Sequence, residues 1–192
     1  MSGVDLPGFA DPVLDAQSCF RAVLDAMARP GRLHQAGSGL TPPAPLHPAT
    51  AAMLLTLADG DAPVWLDPAA SAAREWVLFH SGAPIASEAR DAAFAVALSF
   101  PDLASLSPGS HEAPEEATTL ILQVAALGSG RQYRLSGPGL RAPGVLAVDG
   151  LPSGFIDAWA SNRAGFPCGI DLVLCAGTTL TALPRTVAIE EA

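Results

Sequence analysis

Asp171 stands between Ile170 and Leu172 in an otherwise apolar run, and Arg185 follows Pro184 in the next one. A carboxylate set among aliphatic side chains must be paired, capped by backbone donors or turned to solvent. Arg185 is the candidate partner, and a structural ion pair is favoured over a ligand site. His80 closes the apolar run Trp76-Val77-Leu78-Phe79-His80, which reads as a strand ended by Ser81-Gly82. Sites in α/β proteins gather at strand ends, but a hydrogen-bonded structural histidine is the favoured reading here.

Other chemistry finds less support. His34, His47, His80 and His111 never fall three or four residues apart, and none neighbours a cysteine, so no metal site is expected. Cys168 and Cys175 are separated by six residues, which matches no standard zinc spacing. There is no Gly-x-Ser-x-Gly; Ser81 and Ser129 both lie beside glycines in turns, without a visible base. Gly128-Ser129-Gly130 and Gly137-Pro138-Gly139 lack the full dinucleotide fingerprint, and the first joins two expected strands rather than a strand and a helix. Trp65, Trp76 and Trp159 read as core or interface rather than as a cofactor platform. The chain contains no lysine; all ten basic residues are arginines. It therefore cannot form a Schiff base with pyridoxal phosphate, and no cofactor is expected. It cannot build a P-loop either.

These groups sit in a chain of 192 residues, read as one domain over 1–192. That length buries roughly 70% of the unfolded surface without staples. The hydrophobic fraction is 49%, the mean hydropathy +0.33 and the formal charge −9, with acidic residues scattered. Nucleic acid and anionic membranes are poor partners for such a surface, whereas a small phosphorylated ligand stays open. Three cysteines, the absence of a basic n-region or apolar h-region in Met1–Pro7, and the absence of a membrane-length apolar run lead to a cytoplasmic expectation.

The elements that must position these residues follow from caps and periodicity. Asp11 and Pro12 open a helix whose apolar face is read as Val13, Ala16, Phe20, Val23 and Met27. Arg21–Asp25 and Asp25–Arg29 are candidate i,i+4 pairs, and Pro30-Gly31 stops the helix. A short strand is expected over 32–36, a loop over 37–48, a helix from about Pro48 to Leu57 and a strand at Val64–Leu66. Asp67-Pro68 caps a short helix. Strands are expected over 76–80 and 94–98, and a polar loop over 107–117. Thr118–Ala126 is nearly continuous apolar and reads as a central strand buried on both faces. Gly128-Ser129-Gly130 is read as its hairpin turn into Gln132–Leu135, and 136–152 as the longest irregular stretch. Ser153 caps a helix with Phe155, Ile156 and Trp159 inward, and a second hairpin runs from Ile170–Cys175 to Leu180–Leu183. The sum is α/β with a mixed sheet flanked by helices.

Five segments together resemble one family. They are Phe20–Met27 followed by Pro30-Gly31; Leu54–Asp59 followed by Asp61–Leu66; Phe79-His80 with Ala83-Pro84; Ala117–Val124; and Phe166-Pro167 with Gly169–Leu172, ending Leu183-Pro184-Arg185-Thr186. In order and spacing they are similar to the H subunit of the bacterial carbon–phosphorus lyase core complex, over nearly the whole chain. The resemblance implies a fold related to pyridoxal-phosphate-dependent transferases without their cofactor site. It implies a homodimer or a place in an assembly with the G, I and J subunits. It implies a pathway in which, with the G, I and L partners, ATP and an alkylphosphonate give ribose 1-alkylphosphonate 5-triphosphate and adenine, before the radical J subunit cleaves the carbon–phosphorus bond. It carries no assigned catalytic residues.

Two readings follow. In the first the chain is a non-catalytic assembly subunit that neither binds ATP tightly nor turns over a phosphonate. An apolar, arginine-only composition suits buried contacts. In the second it supplies part of a phosphonate- or nucleotide-binding catalytic site, with Arg21, His80, Asp171 and Arg185 as the candidate residues, because guanidinium forks match phosphonate oxygens. A cofactor-free hydrolase, a third reading, needs an exposed nucleophile on a tight turn, and none is evident.

Overall fold

The computed structural model describes residues 6–192. Of the Met1–Pro7 segment, read as lacking the basic and apolar regions of a leader, residues 1–5 lie outside the described residues. Among the described residues no helix is long and apolar enough to cross a membrane.

A six-stranded mixed sheet organises the molecule, in the order β1-β8-β7-β4-β3-β2. Its strands are β1 (His34–Gln35), β2 (Val64–Leu66), β3 (Phe94–Ala97), β4 (Thr119–Gln123), β7 (Asp171–Ala176) and β8 (Thr179–Leu183). β2, β3, β4 and β7 are parallel, while β8 returns antiparallel to β7 and β1 pairs antiparallel with β8. The expected hairpin of 170–183 is thus present, and the apolar run at 118–126 yields a central strand. Its alternation explains that run: Leu120 and Leu122 face one core and Ile121 the other, all fully buried.

Three helices cover one face: α1 (Pro12–Ala28), α2 (Pro48–Leu57) and α3 (Arg74–Ser81). α4 (Phe155–Ala164) and a three-stranded antiparallel sheet of order β6-β5-β9 cover the other. The small sheet comprises β5 (Ala126–Ser136), β6 (Gly144–Asp149) and β9 (Ala188–Glu191).

The Asp11 carboxylate caps α1 by accepting from Val13 and Leu14 N–H at 3.1 and 3.0 Å, with Pro12 in the first turn. The face it buries differs from the expected one. Cys19, Val23 and Ala26 point inward, whereas Val13 and Phe20 are exposed. Asp25 pairs with Arg29 and approaches His34, so the Arg21–Asp25 pair does not form.

Four further expectations are corrected. Residues 76–80 belong to helix α3, not a strand, because Trp76, Val77 and His80 share the inward face at helical spacing while Leu78 and Phe79 stay exposed. A short apolar run has no periodicity of its own to separate the two states. β5 does not form a hairpin with β4: it pairs β6 and β9 in the second sheet. Gly128-Ser129-Gly130 lies inside β5, at a register shift between Leu127 and Arg131, where Gly130 passes the β6 backbone too closely for a side chain. The stretch 136–152, read as irregular, holds strand β6. At α4 the N-cap is Gly154, without a side-chain cap, while Phe155 and Trp159 are buried as expected.

Candidate functional site

Arg185 and Asp171 meet at the start of β7. The Arg185 guanidinium straddles the carboxylate, with Nη2 2.6 Å from Oδ2 and Nε 3.2 Å from Oδ1. The Arg185 backbone N–H also donates to Oδ1 at 2.7 Å. Nη1 spends its remaining donors on the carbonyls of Pro114 and Pro167, at 2.9 and 3.2 Å. Four of the five guanidinium N–H groups are therefore satisfied by the chain itself. Side-chain exposures of 12% and 18% leave little room for an external anion. The pair ties β7 to three loops and is a structural clamp, the reading favoured for it on sequence.

His80 lies near the end of α3. Its Nε2 is 3.1 Å from the Leu6 carbonyl, which also accepts the Trp76 indole N–H at 2.9 Å. The two rings sit 4.8 Å apart. This histidine fastens the N-terminal segment to α3. Arg21 is exposed on α1. Among the described residues neither His80 nor Arg21 shares a hydrogen bond, ion pair or cavity with the Asp171–Arg185 pair. The four candidates do not form one site.

The residues that do converge are three other arginines. Arg29, Arg32 and Arg141 line an open cavity of about 720 Å³ between the C-terminal end of α1 and the loop joining β5 to β6. Its remaining lining residues are Ala28, Pro30, Gly139, Leu140 and Ala142, none of them acidic. Two glycines make the approach possible. Gly139 takes φ +83°, and a Cβ there would stand 2.5 Å from the Ala28 carbonyl oxygen. Gly31 takes φ +82° and packs on Leu135. The Pro30-Gly31 stop thus turns Arg29 and Arg32 toward a loop that delivers Arg141.

Behind the cavity, His34 Nε2 lies 3.3 Å from Asp25 Oδ2, in an orientation that leaves the buried nitrogen without a hydrogen bond. Burial, then the positive charges of Arg32 and Arg29, pushes the His34 imidazole below its ordinary range. The sequence held one half of this arrangement, Arg29-Pro30-Gly31-Arg32; Arg141, far along the chain, carries no local sign of its destination.

The thiols are unequal. Burial pushes Cys175 up to about 12 and raises Cys19 as well. Cys168 is partly exposed at the edge of a second cleft of about 700 Å³ between α4 and residues 101–108. Among the described residues no three His, Cys, Asp or Glu side chains cluster as metal ligands. His47 instead accepts the Gly177 N–H at 3.3 Å. The indole of Trp159 donates to Val187 at 2.8 Å inside the second core.

Residues 7–190 match the family described as the bacterial phosphonate metabolism protein (PhnH). One relative is a protein of Rhizobium meliloti (strain 1021) named alpha-D-ribose 1-methylphosphonate 5-triphosphate synthase subunit PhnH. It is 45% identical over 187 residues, covering 95% of this chain and 94% of that protein. Another is the putative C-P lyase subunit protein HtxG of Stutzerimonas stutzeri, 39% identical over 82 residues, which cover 43% of this chain and 42% of that protein. With the match running through both cores and both sheets, the chain belongs to the PhnH family of bacterial phosphonate metabolism proteins.

Proposed function

We propose that the chain is a subunit of a carbon–phosphorus lyase assembly acting in phosphonate breakdown. It would serve the step that makes a ribose 1-alkylphosphonate 5-triphosphate from ATP and a phosphonate. Bond-making in that step belongs to other subunits; this chain organises them. The geometric observation that supports it is the outward face of α1. Val13, Phe20 and Leu24 are 74%, 50% and 58% exposed on one side of a helix whose other side is already buried in the core. A row of large apolar side chains held open to water is the mark of a contact surface. A second copy of the chain is the occupant we assign to it, with the G, I and J subunits completing the assembly in the bacterial cytoplasm. The relation of the fold to pyridoxal-phosphate-dependent transferases belongs to the same reading. A mixed sheet covered on both faces is compatible with it, and with no lysine the chain would work without that cofactor.

The test is native mass measurement of the chain alone and after co-expression with candidate G, I and J subunits. A dimer alone and one complex of fixed stoichiometry are expected. Phe20→Glu with Leu24→Glu should leave folded monomers, since both side chains are already solvated. A chain that stays monomeric and enters no complex sinks the proposal, as does turnover of ATP by the isolated chain.

The second reading, a direct share in a ligand site, is favoured by one observation. That observation is the cavity lined by Arg29, Arg32 and Arg141, which stands beside the residues first considered for this reading, Arg21, His80, Asp171 and Arg185.

A further inference from the structure

We propose that the cavity between the end of α1 and the 137–142 loop binds the oligophosphate chain of a nucleotide or sugar phosphate, held by Arg29, Arg32 and Arg141. The choice of an oligophosphate over other anions rests on the subunit reading above, where both ATP and the product carry a triphosphate; the positive site itself does not.

Charge carries the argument first. The chain has a formal charge of −9 and ten arginines, yet three of them surround one cavity without an acidic lining residue. Arg29 is answered by Asp25 from the helix side. Arg32 and Arg141 have no carboxylate partner among the described residues. The charge of Arg32 is felt locally: after burial, the main cause, Arg32 and then Arg29 lower the imidazole of His34. The C-terminal end of α1 opposes an anion with roughly half a negative charge. Two unanswered guanidinium groups outweigh it.

Shape selects among anions. A carboxylate has oxygens for one guanidinium fork only; a phosphate has more, and an oligophosphate adds both charge and further pairs of oxygens along its length, so it can engage guanidinium groups that arrive from two sides. A cavity of about 720 Å³ is of the size that small-molecule sites take. A nucleic acid would need a stripe of such residues, and the rest of this surface is acidic. Position is also built rather than incidental. The contact of Gly139 with Ala28 fixes the loop against the helix, so Arg141 is held across from Arg29 and Arg32.

The experiment is calorimetric titration of the full chain with inorganic tripolyphosphate, ATP, adenosine and inorganic phosphate. Tripolyphosphate and ATP should bind one site and compete, ATP only weakly, as the subunit reading requires, while adenosine does not bind. Arg32→Ala with Arg141→Ala should weaken both by about a hundredfold, at roughly tenfold per charged hydrogen-bonding group. Arg74→Ala with Arg90→Ala removes the same charge from elsewhere on the surface and should leave binding unchanged. The inference is overturned by the absence of saturable tripolyphosphate binding up to about 1 mM, a standard free energy near −4 kcal/mol. Equal loss in both double variants overturns it too, and so does inorganic phosphate binding as tightly as tripolyphosphate. A chain that assembles with its partners but ignores tripolyphosphate sinks this inference alone; one that binds it but never assembles sinks the subunit reading alone.

Discussion

Arg185 and the arginines around the α1 cavity carry the same guanidinium in opposite surroundings. Arg185 is enclosed: one carboxylate and two carbonyls take four of its N–H groups. Arg32 and Arg141 reach into open space with no acidic partner among the described residues. A saturated arginine stabilises the fold and has nothing left for a ligand. An unsaturated one contributes little to the fold and keeps its donors available. At equal charge, what an arginine can do for a ligand depends on the donors it has left free. Nothing in the residue type reveals how many those are.

Breaking the closed cluster should have the largest effect. Arg185→Ala leaves the Asp171 carboxylate nearly buried and without its countercharge, which costs about 3–5 kcal/mol. For a chain of this length that is a fall in melting temperature of about 10 °C, read by thermal denaturation. Replacing both partners with apolar residues, Asp171→Leu with Arg185→Met, should recover much of the loss. A fall of less than about 1 kcal/mol for Arg185→Ala would erase the contrast between the two clusters.

The next effect lies at the seam that builds the open cluster. Gly139→Ala adds left-handed backbone strain and a clash with the Ala28 carbonyl oxygen, together about 2 kcal/mol. Gly39 is the control. It has a similar φ of +90° but nothing within 4 Å of a Cβ, so Gly39→Ala should cost about 1 kcal/mol. Equal losses at the two positions, measured by urea denaturation, would mean that the approach of the loop to α1 is not tightly built.

How far such features are legible in sequence depends on whether their cause is local. The Asp11 cap, the β7–β8 hairpin and the two-faced burial of β4 follow from neighbouring residues, and the structure contains each of them. The Asp171–Arg185 pair was legible because a carboxylate in an apolar strand demands a partner, and the turn that follows the adjoining strand supplies one. The pairing of β5 with β6 and β9 was hidden, since glycines inside a bulged strand imitate a turn. The inward face of α1 was misjudged because this helix is apolar on two sides, and periodicity does not say which side meets the core. The arginine cavity was half visible. Two of its residues flank the Pro30-Gly31 stop, but the third arrives through a β5–β6 loop whose flanking strand was itself unseen.

The smallest effect is expected at the two open arginines themselves. Arg32→Ala or Arg141→Ala should change stability by no more than about 0.5 kcal/mol, as for a surface position without partners. At low salt the relief of repulsion among the three arginines is opposed by the lost attraction to the α1 C-terminus and to a chain of charge −9, so the net change should stay small and shrink further as salt is added. His34 reports the same field. Burial is the main reason its imidazole is held down, and Arg32 is the next. Arg32→Ala should therefore move the His34 titration, followed by NMR, up toward its ordinary value but not fully to it. The sign for stability follows from linkage. The fold disfavours the charged form of His34, so its contribution is fully present above the unfolded pKa and is lost as the pH falls through the folded one. With Arg32 removed the two values draw together, and less stability is lost on acidification. A His34 titration that does not move would mean that the Arg32 charge is already answered, and the open cluster would then be as closed as the pair at Arg185.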